Sequence, residues 1–334
     1  MSNVVRRFGL LAAVALAFVP AANAQEPNAR VTFFDFTPHG LVMESIARIE
    51  AQNFAGAAEL LEAWPADAGE RPPEALYLLA FAHQRLGNYA KALPPAEEAA
   101  KRAPDAPASW LELLTDLLKR NDRHYDAVPW LERLIETNPD NKTYWLELSL
   151  AYESGGDFAH ALATMRLANT AKLLTDDAEF RRLADLLVHQ GLPQQGATVL
   201  EEGLAARTVR ADETAYTKLG TAWFAAGETD KAVLALENAT RSASSGDAYV
   251  RLAAVHVERR DWPAAVAALH AGMGRGSLTD AGRANLLMGI ALYAEGKFDE
   301  ARDWLAMAAE DAQQRPAAER YLDAIKARTG PAAL

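Results

Sequence analysis

The sequence predicts an all-α fold built from repeated pairs of helices, and two observations carry this prediction. From about residue 40 onward, apolar residues recur at three- and four-residue spacing, which is typical of amphipathic helices. Short breaks interrupt this pattern, and each contains a glycine that can adopt the left-handed conformation that ends a helix. A small residue follows each break at the same distance, so that a second helix can pack closely on the first. The glycines are Gly87, Gly156, Gly227 and Gly296, and the small residues are Ala92, Ala161, Ala232 and Ala301.

Residues 1–24 have the pattern of a secretory signal peptide. The basic pair Arg6 and Arg7 precedes an apolar run of 12 residues, Pro20 ends that run, and alanines occupy positions 22 and 24. A membrane span needs about 20 apolar residues, so this run is too short to anchor the chain. We therefore expect a Sec-type signal cleaved after Ala24 and a periplasmic protein with no stable membrane insertion.

Residues 25–37 form a separate N-terminal segment that lies outside the repeats. This segment is too apolar for a solvent-exposed tail without a binding role, because it contains Val31, Phe33, Phe34 and Phe36. Two interpretations remain open: an extended stretch that docks on the first repeats, or a free strand that binds a partner.

The repeats share a residue pattern, which is clearest in the unit that starts at Lys142. That unit contains Trp145, Leu148, Ser149, Tyr152, Gly156, Phe158, Ala161, Met165 and Ala168. The pattern resembles the tetratricopeptide repeat, a helix–turn–helix unit of 34 residues. Units start near residues 38, 73, 108, 142, 177, 213, 246 and 282.

The resemblance implies a right-handed α-solenoid of about eight units over residues 38–315. Residues 316–334 are expected to form a capping helix and tail, because Glu319, Arg320, Asp323 and Lys326 break the apolar surface. Pro94, Pro95 and Pro129 lie inside second helices, where we expect a late start or a kink.

Composition excludes several kinds of chemistry. The chain has 34 basic and 45 acidic residues, and a surface this acidic repels nucleic acid. It has no cysteine for disulfides, thiolate catalysis or zinc ligation. His83 and His256 share a repeat position where an aromatic ring normally packs, so we expect packing there and no metal ligation. The glycine-rich run 272–277 follows a helix, and we expect an inter-repeat turn. No enzyme signature, metal site or cofactor is predicted.

The resemblance implies that the first helices of the units line a concave groove. Tyr77 and Phe81 lie four residues apart on one helix face, and Leu146 and Leu150 repeat that spacing. The Lys and Asn residues that hold terminal carboxylates in chaperone-binding members are missing. The predicted groove residues are Tyr77, Phe81, Arg85, Glu112, Lys119, Arg120, Leu146, Leu150 and Arg181.

The three cations among the groove residues have two interpretations. Arg85, Lys119 and Arg120 form either an anion-accepting patch beside an aromatic shelf or a charged surface that is paired with Glu112 and Asp116.

These observations predict a non-catalytic periplasmic scaffold that binds a protein or peptide in its groove. The later half of the chain is also similar to periplasmic repeat proteins that accompany TonB–ExbB–ExbD energy-transduction systems, which implies a partner in an envelope transport complex. The alternatives are an adaptor for envelope biogenesis or polysaccharide export, and an enzyme subunit with a site in the groove.

Overall fold

The computed structural model describes residues 37–66 and 69–329 of the chain. Within these residues every regular element is a helix, so the predicted all-α repeat fold is confirmed. The predicted signal peptide lies outside the described residues, as does the segment 25–37 apart from Thr37. In the described part of the chain, no helix has the length and apolar composition of a membrane span.

Seventeen α-helices follow one another in the described residues, and a short 3-10 turn, Tyr125–Ala127, lies between the fifth and the sixth. The helices are α1 (Pro38–Glu50), α2 (Phe54–Glu62), α3 (Pro73–Arg85), α4 (Tyr89–Arg102), α5 (Ala108–Arg120), α6 (Val128–Thr137), α7 (Lys142–Ser154), α8 (Phe158–Thr170), α9 (Asp177–His189), α10 (Pro193–Ala205), α11 (Glu213–Ala225), α12 (Thr229–Arg241), α13 (Asp247–Glu258), α14 (Trp262–Arg275), α15 (Ala281–Ala294), α16 (Phe298–Glu310) and α17 (Arg315–Thr329).

The helices pack in sequence order. Each odd-numbered helix up to α15 pairs with the even-numbered helix that follows it, and each pair packs on the next; α17 covers the end of the stack against α15 and α16. The core therefore runs along the stack. One buried cluster extends from Ala80 to Leu187 and a second from Ala184 to Ile325, so the two clusters meet on α9.

Glycines end the first helices as the sequence predicts. Gly87, Gly156, Gly227 and Gly296 have φ angles of 76° to 80°, a conformation in which a Cβ atom would be strained. Each of these residues turns the chain back so that the second helix runs antiparallel to the first.

Proline acts differently in two second helices. In α6, Pro129 lies in the first turn and the 3-10 turn precedes it, so this helix starts late, as expected. By contrast, α4 runs continuously from Tyr89 to Arg102 although it contains Pro94 and Pro95.

The glycine-rich run 272–277 is only partly a turn, so the prediction of an inter-repeat turn needs correction. The last turn of α14 includes Gly272 and Gly274, and the chain leaves the helix at Gly276. A Cβ atom on Gly272 would lie 2.9 Å from the Cβ of Tyr249 and 3.0 Å from the carbonyl oxygen of Gly246. Gly272 therefore allows α14 to approach the start of α13 closely.

Candidate ligand groove

The first helices of the units lie side by side along one face of the stack. Contacts join α1 to α3, α3 to α5, α9 to α11, α11 to α13 and α13 to α15, whereas no two second helices of neighbouring units in the described residues come comparably close. Helices on the inner side of a curved stack are the closer ones, so the first helices line the concave face. Neither α5 and α7 nor α7 and α9 make comparable contacts. The face therefore opens on both sides of α7.

A cavity of about 500 Å³ occupies the opening between α5 and α7. Leu150 lines it from α7 and is 50% exposed. The other lining residues are Lys119, His124, Ala127, Leu131, Glu147, Ala151, Glu153, Ser154 and Phe158. The cavity thus combines an apolar floor with a charged rim.

Ion pairs cross both openings beside α7. Glu147 and Glu153 lie three residues before and after Leu150, so all three share one face of the helix. The Lys119 Nζ on α5 lies 2.5 Å from the Glu147 Oε1, and the Arg182 Nη2 on α9 lies 2.7 Å from the Glu153 Oε1. These pairs link α7 to α5 and α9, where the helix backbones approach less closely than elsewhere along the face.

A row of aromatic rings extends the face from α2 to α5. The Tyr77 ring stacks on Trp110 at 4.8 Å and nearly parallel, and it lies 6.3 Å from Phe81, which in turn lies 6.3 Å from Phe54. Burial raises the pKa of the Tyr77 phenol. Both Tyr77 and Phe81 are half-buried and pack against the first core cluster, so they contribute to the core as well as to the face.

The three cations predicted at the groove have different surroundings. The Lys119 ammonium is paired with Glu147, and the Arg120 Nε lies 2.8 Å from the Asp116 Oδ2. The Arg85 guanidinium lies 4.8 Å from the centre of the Phe54 ring, and no carboxylate of the described residues is within ion-pair distance of it.

The remaining predicted residues lie apart from the cavity. Glu112 accepts a hydrogen bond from the hydroxyl of Tyr144, and Leu146 is half-buried against the first core cluster. Arg181 joins α9 to the start of α11: its Nε lies 2.6 Å from Asp177, and its Nη2 lies 3.1 Å from Asp212. The hydrogen bond from Arg181 holds the pKa of Asp177 below its usual value. The structure therefore brings only Lys119 and Leu150 of the nine residues into the cavity.

A second cavity, of about 400 Å³, lies between α9, α11 and α13. The sequence does not predict this cavity, because its lining residues match no motif. The lining residues are Ala184, Asp185, Val188, His189, Leu200, Thr217, Lys218, Thr221, Ala222 and Arg251. This cavity also opens on the first-helix face.

The two histidines at the aromatic repeat position are largely enclosed by the helix packing. The His83 Nε2 lies 3.0 Å from the Glu62 Oε1, and burial lowers the pKa of His256. Within residues 37–66 and 69–329, no group of three or more His, Cys, Asp or Glu side chains is arranged to hold a metal ion.

Solved structures with similar folds exist at low identity. A MamA protein structure is 23% identical, with a TM-score of 0.45 over 51% of this chain and 90% of that one. A MamA structure from Desulfovibrio magneticus RS-1 is 19% identical, with a TM-score of 0.39 over 51% of this chain and 94% of that one. The Cut9–Hcn1 hetero-tetramer of the APC/C is 12% identical, with a TM-score of 0.43 over 88% of this chain and 57% of that one. No curated protein matches the chain.

Family models agree with the repeat pattern. A tetratricopeptide repeat model matches residues 111–172, 181–248 and 250–318, which together are more than half of the chain. A second tetratricopeptide repeat model matches residues 74–106. With its helix pairs, its glycine turns and these matches, the chain belongs to the tetratricopeptide repeat family.

Proposed function

We propose that this protein is a non-catalytic periplasmic scaffold that binds a protein or peptide partner along its first-helix face. Tetratricopeptide repeat proteins bind protein partners, and this chain has the repeats over most of its length. The observation that carries the proposal is the half-exposed Leu150 beside the cavity between α5 and α7. Exposed apolar surface at an open cavity is the usual anchor of a binding site.

The periplasmic location is supported by the sequence of residues 1–24. We propose that cleavage after Ala24 leaves Gln25 as the first residue of the mature chain. The intact mass of protein taken from the periplasm measures this directly. A membrane-bound chain that retains residues 1–24 would contradict the proposed location.

The partner that we propose is a component of the cell envelope, and a TonB-type transport complex is the first candidate because of the sequence resemblance. Crosslinking in intact cells, followed by purification of the protein and mass spectrometry, identifies the captured partner. Components of polysaccharide export or cell-wall assembly would favour the adaptor function instead.

A pair of variants connects the captured partner to the cavity. Leu150→Glu places a charge on the apolar surface, and we expect at least a tenfold loss of the crosslinked partner, because apolar anchors carry most of the binding energy. Leu234→Glu is the matched control, since Leu234 is 62% exposed on α12, a second helix. Equal recovery from the wild type and Leu150→Glu would place the partner elsewhere on the molecule.

A further inference from the structure

Three first helices carry a basic residue at the same repeat position. Arg182 on α9, Lys218 on α11 and Arg251 on α13 each directly precede a buried leucine of the repeat core. Those leucines are Leu183, Leu219 and Leu252. The shared register places the three cations in one row along the first-helix face.

In the first two units of this row, the cation reaches back to a carboxylate on the preceding first helix. The Arg182 Nη2 lies 2.7 Å from the Glu153 Oε1 of α7, and the Lys218 Nζ lies 2.6 Å from the Asp185 Oδ1 of α9. Each unit is therefore joined to the one before it by an ion pair on the groove face.

The row breaks at Arg251. On α11, the positions that correspond to Asp185 and Glu153 are occupied by Thr221 and Phe224, which carry no charge. Arg251 is exposed, and among residues 37–66 and 69–329 no carboxylate is within 4.0 Å of its guanidinium. The fold thus leaves one cation of the row without the anion that its neighbours have.

The surroundings of Arg251 suit a carboxylate. Its side chain lines the cavity of about 400 Å³, together with Thr217 and Thr221. The Thr221 hydroxyl donates to the Thr217 carbonyl oxygen at 2.8 Å, and the Thr217 hydroxyl makes no hydrogen bond within the described residues. A guanidinium binds both oxygens of a carboxylate through two parallel hydrogen bonds, and a free hydroxyl can donate a third.

We propose that the cavity between α9, α11 and α13 binds an acidic side chain, Asp or Glu, of the partner segment, and that Arg251 holds its carboxylate. The proposal rests on the proposed function, since it concerns the same first-helix face. First helices continue on both sides of α11, so a segment that follows the face presents an internal side chain at this cavity. The chain as a whole carries a formal charge of −11 and attracts basic ligands. A preference for an acidic side chain must therefore come from the local site.

Selection from a phage-displayed library of random peptides tests this proposal without knowledge of the partner. The library is selected against the purified wild type, Arg251→Ala and Arg275→Ala. Arg275 is the matched control, because it is also an exposed arginine without an ion pair in the described residues, but it lies in the last turn of α14, a second helix. We expect the wild type and Arg275→Ala to enrich an internal Asp or Glu, and Arg251→Ala to lose that enrichment.

A charge reversal completes the test. A synthetic copy of an enriched peptide should bind Arg251→Ala at least tenfold more weakly than the wild type, with a smaller salt dependence. Replacing the enriched acid by Lys should weaken binding to the wild type and restore binding to Arg251→Glu. Circular dichroism of each variant verifies that the fold is intact.

The outcomes separate this proposal from the proposed function. Peptides that bind equally well to the wild type and Arg251→Ala, or that contribute only a terminal carboxylate, would overturn the acidic site and leave the scaffold function standing. Recovery of no peptide above background on any of the three proteins would also overturn the acidic site, whereas the scaffold function would be overturned only if crosslinking in intact cells captured no partner.

Discussion

At the scale of single residues, glycine sets how closely the two helices of a unit approach. A Cβ atom built on Gly220 of α11 would lie 2.5 Å from the Cγ of Leu236 on α12, well inside van der Waals contact. We expect Gly220→Ala to lower the free energy of unfolding by about 1–3 kcal/mol, because the extra methyl group overpacks the helix interface. Urea denaturation of the purified protein measures this change.

Gly274 provides the control for that substitution. It also lies in a helix, α14, but a Cβ atom there would meet no heavy atom within 4 Å. Gly274→Ala should therefore leave the stability unchanged or raise it by up to about 1 kcal/mol, since alanine is the better helix former. Equal changes in the free energy of unfolding for the two substitutions would mean that helix propensity determines the effect. The close approach of α12 at Gly220 would then contribute nothing to it.

Tyr152 gives the molecule a pH dependence on the alkaline side. Burial and the hydrogen bond from its hydroxyl to Glu132, 2.7 Å long, raise the pKa of Tyr152 from 10.0 to about 12. Since the folded state favours the neutral phenol, this contribution to stability is complete below pH 10 and is lost as the pH rises through 12. It is on the order of 2 kcal/mol.

The tyrosinate absorbance of the wild type minus that of Tyr152→Phe reports this titration. Glu132→Gln should lower the pKa of Tyr152, but not to 10, because the burial remains. An unchanged pKa in Glu132→Gln would show that burial alone is responsible.

At the scale of the helices, the first residue of several first helices holds the loop that leads to the next unit. Asp247 at the start of α13 accepts the Thr279 backbone N–H at 2.8 Å and the Thr279 hydroxyl at 2.5 Å. Glu213 at the start of α11 accepts the Ser244 backbone N–H at 2.9 Å. We expect Asp247→Ala to lower the free energy of unfolding by about 1–2 kcal/mol, because it leaves these donors without their partner.

Asp247→Asn separates the hydrogen bond from the charge. The amide oxygen of Asn can still accept the Thr279 N–H, so this variant should lose less stability than Asp247→Ala in the same denaturation experiment. Equal losses in the two variants would assign the effect to the negative charge at the start of α13.

The sequence predicts helix pairs more readily than it predicts how the pairs meet. Glycines such as Gly156 are local signals, because one positive φ angle is enough to end a helix. Ion pairs between units depend on the rotation of each unit relative to the previous one. Arg182 meets the carboxylate at one repeat position, Glu153, whereas Lys218 meets a different one, Asp185. Which of the two carboxylate positions a cation meets can be determined only from the three-dimensional arrangement of the units.

The site was predictable in part for the same reason. Leu150 could be placed on the first-helix face from its spacing, but the opening between α5 and α7 depends on contacts between units. The half-burial of Tyr77 depends on Trp110, which lies in the next unit. Repeat position alone therefore predicts which face a side chain joins, and the neighbouring unit determines how exposed it is.

At the scale of the whole molecule, stability is distributed along the stack. Each helix contacts only helices near it in sequence, and the two buried clusters meet on α9. In such a chain the free energy is close to a sum over units and their interfaces, so a local defect should remain local. The backbones of α7 and α9 approach less closely than those of α9 and α11, which weakens the coupling further beside α9.

Two core substitutions test this distribution. Leu131 belongs to the first cluster and Leu236 to the second, and each is 1% exposed. Either change to Ala should remove about 2–5 kcal/mol of stability, because it leaves a cavity in a packed core. Peptide-resolved hydrogen exchange should show faster exchange before α9 for Leu131→Ala and after α9 for Leu236→Ala, since each half can open without the other. Equal acceleration on both sides of α9 in both variants would show that the stack unfolds as one cooperative unit. The two halves would then be coupled through α9 despite the wider helix spacing beside α7.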